Sequence, residues 1–149
     1  MESIGDTQED FAKGWDCYTS GDYVGAIVYF GKVIEEDPKN VDAYKNRAAA
    51  NVKLGNWDQG LTDFERALAI DPNNEFARIN RDMLLKANRI DANFDKGVNC
   101  LESRNYQLAI AYFDEVLKED VENVGAYVNR AGALMGLRDY WEALADFER

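Results

Sequence analysis

The chain has 149 residues, 46% of them apolar, which is enough for one compact domain or one array of repeats. Its 28 acidic and 17 basic side chains leave a formal charge of −11, which argues against nucleic acid and membrane surfaces as partners because both attract basic proteins. No apolar run approaches the roughly 18 residues of a membrane span, and the N-terminal sequence MESIGDTQED is not a secretory signal. A cytoplasmic location is favoured over secretion, and the compartment is otherwise open.

The first predicted element is a helix in FAKGWDCYTSGDY, which starts at Phe11. Phe11, Gly14 and Tyr18 fall on one helical stripe, where Gly14 is small enough for close helix contact, and Gly21 ends the helix at a turn. The next segment resumes a helical period with Tyr23, Ala26, Ile27, Phe30 and Val33. The Asp-Pro dipeptide at 37–38 stops this second helix. The segment is therefore a predicted helix hairpin, which must stack on a neighbour to bury its apolar face.

The same pattern returns further along the chain at two distances. A shift of 34 residues places Gly21 on Gly55 and the sequence DPKN on DPNN. A shift of 83 residues aligns residues 11–66 with 94–149 and gives 27 identities in 56 positions. Internal periods of this kind are the mark of a repeat protein. The predicted helix-hairpin units are residues 7–40, 41–74, 90–123 and 124–149.

Residues 75–89 separate the two pairs of units and predict an extra linking helix, because ARINR within them matches AYKNR and AYVNR in the units. No glycine or proline occurs from Glu75 to Lys96. A helical apolar stripe runs through Phe76, Ile79, Met83, Ala87, Ile90, Phe94, Val98 and Leu101. This stripe predicts one continuous helix over about 75–103. The alternative is a short helix that breaks near Asp91, which would then be the N-cap of the next helix.

The residue types present do not favour catalysis. The chain has no histidine, which is the commonest general base and metal ligand. Cys17 and Cys100 take equivalent places on apolar helix faces with no candidate base beside them, so we expect buried, reduced, structural thiols. The carboxylate clusters at 35–37 and 118–120 close second helices, where solvated charge is the ordinary explanation. Without a phosphate loop or metal-ligand spacing, we expect no enzyme, no cofactor and no metal site.

The spacing and the small and aromatic positions resemble those of the tetratricopeptide repeat family over residues 7–74 and 90–149. The proline that ends the second helix in this family is present as Pro38 and Pro72, whereas Val121 stands at that place in the third unit. The resemblance implies an all-α fold, a helix-hairpin repeat array or α-solenoid.

The implied architecture has two pairs of units joined by an extra or continuous long helix. An N-terminal tail at residues 1–6 would precede the first pair. The fourth unit stops at Arg149, whose counterpart Arg66 lies in mid-helix. The chain is therefore expected to continue in a longer parent protein.

In this family the first helices of stacked units line a concave groove that receives a peptide. Carried over position by position, the resemblance places nine side chains in such a groove: Phe11, Trp15, Tyr18, Lys45, Asn46, Phe76, Ile79, Met83 and Asn129. The wider set adds Asp42, Ala49, Val52, Phe94, Val98, Leu101, Val128, Gly132 and Met135. Most of these residues are apolar, and an exposed apolar patch usually marks an interaction site.

Each of these assignments has a structural alternative. Phe11 and Phe94 are equally consistent with packing against a neighbouring helix, because both copies share them. Trp15 is less tied to the repeat, since its counterpart in the second pair is Val98. Asn46 and its counterpart Asn129 either bind a peptide backbone or make a local interhelical hydrogen bond.

Co-chaperone members of the family hold acidic C-termini of heat-shock chaperones with a clamp of lysine, asparagine and arginine side chains. The clamp positions here hold Phe11, Trp15, Asn46, Phe76 and Asn80, and in the second pair Phe94, Val98 and Asn129. Only Asn46 and Asn129 match the clamp, and an acidic tail would be unpaired and repelled by a chain of charge −11. We therefore do not expect a carboxylate-clamp protein.

The sequence thus predicts a non-catalytic scaffold for protein–protein interaction. It would bind an apolar or basic peptide segment, or a helix, of a partner protein in the apolar groove, with no nucleic-acid or membrane partner. The alternative is a self-assembly module of a larger protein. In that case the stripe of 76–101 in the linking helix, or an open C-terminal face at Trp141, Leu144 and Phe147, packs against another copy.

Overall fold

The computed structural model of the chain describes the backbone of residues 4–149 and the side chains of residues 7–149. Within that range the chain forms eight α-helices and no strand, which confirms the all-α prediction. The helices are α1 Ile4–Ser20, α2 Tyr23–Glu36, α3 Val41–Lys53, α4 Trp57–Ile70, α5 Glu75–Glu102, α6 Tyr106–Glu119, α7 Val124–Gly136 and α8 Tyr140–Phe147. Because α1 begins at Ile4, it includes part of the expected tail, of which residues 1–3 lie outside the description.

Short polar side chains start most of the helices, as helix N-termini require. Asp22 accepts a hydrogen bond from the Gly25 amide at the start of α2, and Asp139 accepts one from the Glu142 amide at the start of α8. Asn40 and Asn123 cap α3 and α7 in the same way. These caps fix where α2, α3, α7 and α8 begin.

The chain divides into two compact units, Met1–Leu85 and Lys86–Arg149. In unit 1 the Phe30 ring is fully buried against Gly14, where an added Cβ would lie 2.8 Å from the ring. Phe11 packs edge-on against Phe30 with ring centroids 5.4 Å apart. A second cluster buries Phe64 of α4 together with Leu84 of α5. The core of unit 1 is thus formed where neighbouring helices pack face to face, with α1 and α2 around Phe30 and α3, α4 and α5 around Phe64.

Unit 2 repeats this packing with the counterparts of the same residues. Phe113 is fully buried, and an added Cβ at Gly97 would lie 2.7 Å from its ring. Phe94 packs edge-on against Phe113 with ring centroids 5.7 Å apart. The packing role weighed above for Phe11 and Phe94 is thus present in both units.

Helix α5 runs without a break from Glu75 to Glu102. The prediction of one continuous helix is confirmed to within a residue at its end, and the alternative break near Asp91 is wrong. The apolar stripe and the absence of glycine and proline before residue 97 let this helix continue through Asp91. Its first part belongs to unit 1 and its second part to unit 2.

Both cysteines are free thiols, as expected, but neither is fully buried. Cys17 and Cys100 are each half-buried, so the expectation of buried thiols is corrected. Partial burial raises the pKa of the Cys17 thiol, and the nearby Asp22 carboxylate raises it further. The Cys17 thiol therefore stays protonated at neutral pH, as a packing residue does.

Candidate functional site

Unit 1 contains an open groove of about 530 Å³ between α1, α3 and α5. The side chains that line it are Phe11, Trp15, Tyr18, Asp42, Lys45, Asn46, Ala49 and Phe76. Six of the nine predicted site residues are thus together in one groove, and Asp42 and Ala49 belong to the wider predicted set. The groove forms because helical spacing turns these positions of each helix to the same side.

Aromatic rings make up the apolar wall of the groove. Trp15 and Tyr18 stack with centroids 5.8 Å apart and an interplanar angle of 16°. The Trp15 side chain is 48% exposed and Phe76 is 47% exposed, so neither ring is covered by the chain itself. Large, rigid, partly exposed rings are the side chains that contribute most binding energy at protein interfaces.

The charged groups of the groove neutralise each other. The Lys45 ammonium lies 2.6 Å from a carboxylate oxygen of Asp42, one turn earlier on α3. It also lies 5.9 Å from the centroid of the Phe76 ring. The only lysine in the groove lining is therefore paired, and Asp42 remains the more exposed partner of the two.

The three equivalent asparagines of the chain differ in their hydrogen bonds. The side-chain amides of Asn80 and Asn129 each donate to the carbonyl oxygen four residues earlier, over 2.8 Å. Asn46 makes no side-chain hydrogen bond within residues 7–149. Asn129, in unit 2, thus makes a hydrogen bond within its own helix and not the interhelical bond considered above. The Asn46 amide has both its donor and its acceptor available.

Ile79 and Met83 continue the α5 stripe beyond Phe76 but do not line the groove. Their side chains are 49% and 64% exposed. With Phe76 they follow a spacing of three and four residues, so all three lie on one side of the helix. The stripe is an apolar surface next to the groove rather than part of its wall.

Two pairs of a partly buried arginine with a buried aspartate were not predicted. In unit 1 the Arg47 guanidinium donates to both carboxylate oxygens of Asp63, over 2.9 and 2.8 Å. In unit 2 Arg130 pairs in the same way with Asp146. Hydrogen bonding to Asp63 raises the pKa of Arg47 above its usual value. The available signal was an identical arginine and aspartate spaced 16 residues apart in both copies.

The described residues contain neither a metal-binding cluster nor a membrane-spanning helix. No group of three or more cysteine, aspartate or glutamate side chains in residues 7–149 could hold a metal ion. Over residues 4–149, every helix is too short or too polar to cross a bilayer. For binding, the groove presents aromatic rings, the Lys45–Asp42 ion pair and the unpaired Asn46 amide.

Fold and repeat pattern define an α-helical repeat protein, and sequence comparison gives its family. Two models described as tetratricopeptide repeat match residues 41–74 and residues 94–149, together more than half of the chain. The chain belongs to the tetratricopeptide repeat family, whose members mediate protein–protein interactions.

Curated relatives share short stretches with the chain. Sperm-associated antigen 1 of Mus musculus is 41% identical over 69 residues, which cover 46% of this chain and 8% of that protein. Hsp70-Hsp90 organizing protein 2 of Arabidopsis thaliana is 37% identical over 70 residues, covering 47% of this chain and 12% of that protein. The chain thus spans about a tenth of the length of these relatives.

Solved structures agree in fold at low sequence identity. MamA has a TM-score of 0.56 at 18% identity, covering 96% of this chain and 88% of its own. The first tetratricopeptide domain of Spaghetti (RPAP3), bound to the HSP90 peptide SRMEEVD, has a TM-score of 0.51 at 22% identity, covering 96% of both chains. These similarities establish the helical repeat fold.

Proposed function

We propose that this chain is a non-catalytic docking module that binds a segment of a partner protein in the groove of unit 1. The observation that carries the proposal is that two half-exposed rings, Trp15 and Phe76, line the same groove as the partly buried Asn46, whose side-chain amide has no hydrogen-bond partner within residues 7–149. Rings of this kind bind apolar side chains, and an asparagine amide can bind the N–H and C=O groups of an extended backbone.

The groove favours an apolar partner segment that also carries a basic residue. A lysine or arginine of the partner can pair with Asp42, the exposed acidic group of the groove. The net charge of −11 steers basic segments toward the chain and acidic ones away from it. Ile79 and Met83 extend the apolar surface for a longer segment.

Acidic C-terminal peptides are the ligands that we do not expect here. The peptide bound to the Spaghetti domain, SRMEEVD, ends in three acidic residues and a valine. The clamp positions of unit 1 are aromatic at Phe11, Trp15 and Phe76, and Lys45 is already paired with Asp42. An acidic tail would find no free cation in the groove lining, and charge-assisted hydrogen bonds would be lost.

A peptide-library selection tests the proposal directly. Peptides displayed on phage are selected on the intact chain, and their affinities are then measured with a Trp15→Ala plus Phe76→Ala variant. We expect a consensus with an apolar or aromatic residue near a lysine or arginine, and at least a tenfold loss of affinity in the double variant. Trp141→Ala is the matched control, because it removes an exposed tryptophan of unit 2. Equal binding by the intact chain, the double variant and the control would show that the groove is not the binding site.

A labelled acidic peptide tests whether the chain has a carboxylate clamp. Labelled SRMEEVD peptide, with a free or an amidated C-terminus, is titrated with the chain and followed by fluorescence anisotropy. We expect no saturable binding of either form. Micromolar binding that requires the free carboxylate would show a carboxylate-clamp site and contradict our assignment.

Self-assembly is the second candidate function, supported by an exposed apolar face on α8. Trp141 is 84% exposed, and Leu144 and Phe147 are about half exposed. Apolar patches of this kind commonly mediate association. If α8 drives assembly, light scattering will show the mass rising above 16.9 kDa with concentration, and Leu144→Asp will abolish the rise. A constant monomer mass would rule out this function.

A further inference from the structure

The two arginine–aspartate pairs differ in whether a second aspartate is present. The difference leaves one donor nitrogen of the unit 1 arginine without an acceptor. In unit 2 all three donor nitrogens of Arg130 are used, since Nε and Nη2 donate to Asp146 and Nη1 donates to Asp114 of α6. In unit 1 the counterpart of Asp114 is Gly31 of α2. Arg47 keeps its bidentate bond to Asp63, but its Nη1 has no acceptor within residues 7–149.

Space for an acceptor is present at this position. A Cβ added at Gly31 would lie 3.7 Å from the Arg47 Nη1 atom and would meet no other heavy atom within 4 Å. Arg47 also lines a cleft of about 460 Å³, whose other lining residues are Ile27, Asn51, Asp58, Gln59, Thr62 and its own partner Asp63. The cleft offers amide and hydroxyl donors and one apolar side chain, and Asp58 adds a carboxylate that is not paired with Arg47.

This cleft is separate from the groove. The groove residues Lys45 and Ala49 and the cleft residues Arg47 and Asn51 lie on opposite sides of α3, because a helix turns once in about 3.6 residues. The cleft is formed by α2, α3 and α4, whereas α1, α3 and α5 form the groove. A ligand in one site leaves the other accessible.

We propose that the cleft at Arg47 is a second docking point, which takes the side-chain carboxylate of an aspartate or glutamate from a partner protein. The carboxylate occupies the position that Asp114 occupies in unit 2 and accepts from the Arg47 Nη1 atom. The apolar Ile27 contacts the methylene group of the same side chain. The protein itself thus contains the template for this interaction.

An arginine that is already paired with one aspartate can bind a second carboxylate, as Arg130 does in unit 2. Arg130 in unit 2 carries two aspartates, which leaves that cluster with one net negative charge. Arg47 with Asp63 is neutral as a pair, but Asp58 also lines the cleft and makes its lining net negative. A ligand carboxylate is therefore held by the hydrogen bond from the Arg47 Nη1 atom and not by the overall charge of the cleft. Charge-assisted hydrogen bonds to arginine are among the stronger polar contacts, especially when the arginine is held in place by another pair.

Glu35 is the internal competitor for this position. It lies on α2, close enough for its charge to act on Arg47, but it makes no hydrogen bond to Arg47 within the described residues. A variant at Glu35 is therefore part of the test, since a carboxylate of the same chain could otherwise occupy the site.

The experiment is an NMR titration with two blocked tripeptides, acetyl-Gly-Asp-Gly-amide and acetyl-Gly-Asn-Gly-amide, which differ by one carboxylate. We expect the aspartate peptide to shift the Arg47 Nε–H and Gln59 side-chain signals in a saturable way, and the asparagine peptide to leave them unchanged. Gly31→Asp should abolish the response. Asp114→Gly should create a matching response at Arg130, which is silent in the natural sequence.

Four results with the peptides would overturn the proposal. They are no shift at Arg47 with the aspartate peptide, an equal shift with the asparagine peptide, a response that survives in Gly31→Asp, and a response that appears only in Glu35→Gln. Sodium acetate is the third probe. If acetate binds as well as the peptide, the cleft is a site for small anions and not for a partner's side chain, which also overturns the proposal.

Discussion

Two arginines of unit 2 hold a backbone conformation that favours glycine. Arg104 has φ 59° and Arg138 has φ 66°, while their counterparts in unit 1, Gly21 and Gly55, have φ 87° and 78°. Each of the four residues lies in the turn that joins the first helix of a hairpin to its second helix. A left-handed backbone costs a residue with a Cβ about 1–2 kcal/mol. The turns of unit 2 are therefore strained where those of unit 1 are relaxed.

Replacing Arg104 or Arg138 by glycine should stabilise the protein. The expected gain is about 0.5–1 kcal/mol for each change, because relief of strain exceeds the added entropy of glycine in the unfolded chain. Urea unfolding followed by circular dichroism measures the change. Arg66→Gly is the control, an exposed arginine inside α4, where glycine should cost about 1 kcal/mol. A loss of stability at both turns would contradict the assigned turn conformation.

The Arg130 cluster should show unequal contributions from its two acidic partners. The Asp146 side chain is 5% exposed, whereas that of Asp114 is 43% exposed. Arg130→Met leaves the buried Asp146 carboxylate unpaired and should cost about 3 kcal/mol. Asp114→Asn breaks a half-exposed pair and should cost about 1 kcal/mol or less. If thermal unfolding shows equal losses, the ranking of these contacts by burial is wrong.

Residue spacing in the sequence was enough to place most of the groove. Phe11, Trp15 and Tyr18 follow steps of four and three residues, which bring them to one side of α1. Spacing did not show how the polar side chains of the groove are paired. The pairing of Lys45 with Asp42 and the free state of the Asn46 amide depend on rotamers that the pattern does not encode.

The apolar stripe of α5 predicted a helix but did not by itself show whether that helix is continuous. The continuous helix and a broken helix share the same apolar stripe, and they differ in the role of Asp91. Asp91→Ala should be neutral or stabilise by about 0.5 kcal/mol, since aspartate is a weak helix former in a helix interior. Asn40→Ala, which removes the cap of α3, should instead destabilise by about 1 kcal/mol.

The sign of the change in unfolding free energy for Asp91→Ala tests whether α5 is continuous at Asp91. Both variants are compared by urea unfolding at the same pH and protein concentration. A loss at Asp91 as large as that at Asn40 would make Asp91 an N-cap and would break the helix there.

Identical segments in the two copies can have different surroundings. The sequence DFER occurs in α4 and again at the end of the chain. Phe64 in the first copy is 1% exposed because α5 covers it, while Phe147 in the second is 53% exposed. Burial depends on which element lies next to a residue, and the local pattern alone does not determine it.

At the scale of the whole molecule, charge should control the strength of partner binding. A chain of net charge −11 attracts a basic-flanked peptide through solvent, and salt screens that attraction over about 8 Å at physiological ionic strength. We expect the affinity of a selected peptide to fall several-fold between low and moderate salt, mainly through a slower association rate. Stopped-flow fluorescence measures that rate. An affinity that rises with salt would indicate purely apolar binding.

The most direct test of the groove is the NMR map of a selected peptide bound to the intact chain. Binding should move the indole signal of Trp15, the side-chain amide of Asn46 and backbone amides around Ala49 and Phe76, all of which line the groove. Amides of α6 to α8 should stay in place. If the largest changes instead fall in α6 to α8, or on the α2 and α4 side of unit 1, the partner segment binds elsewhere and the groove assignment is wrong.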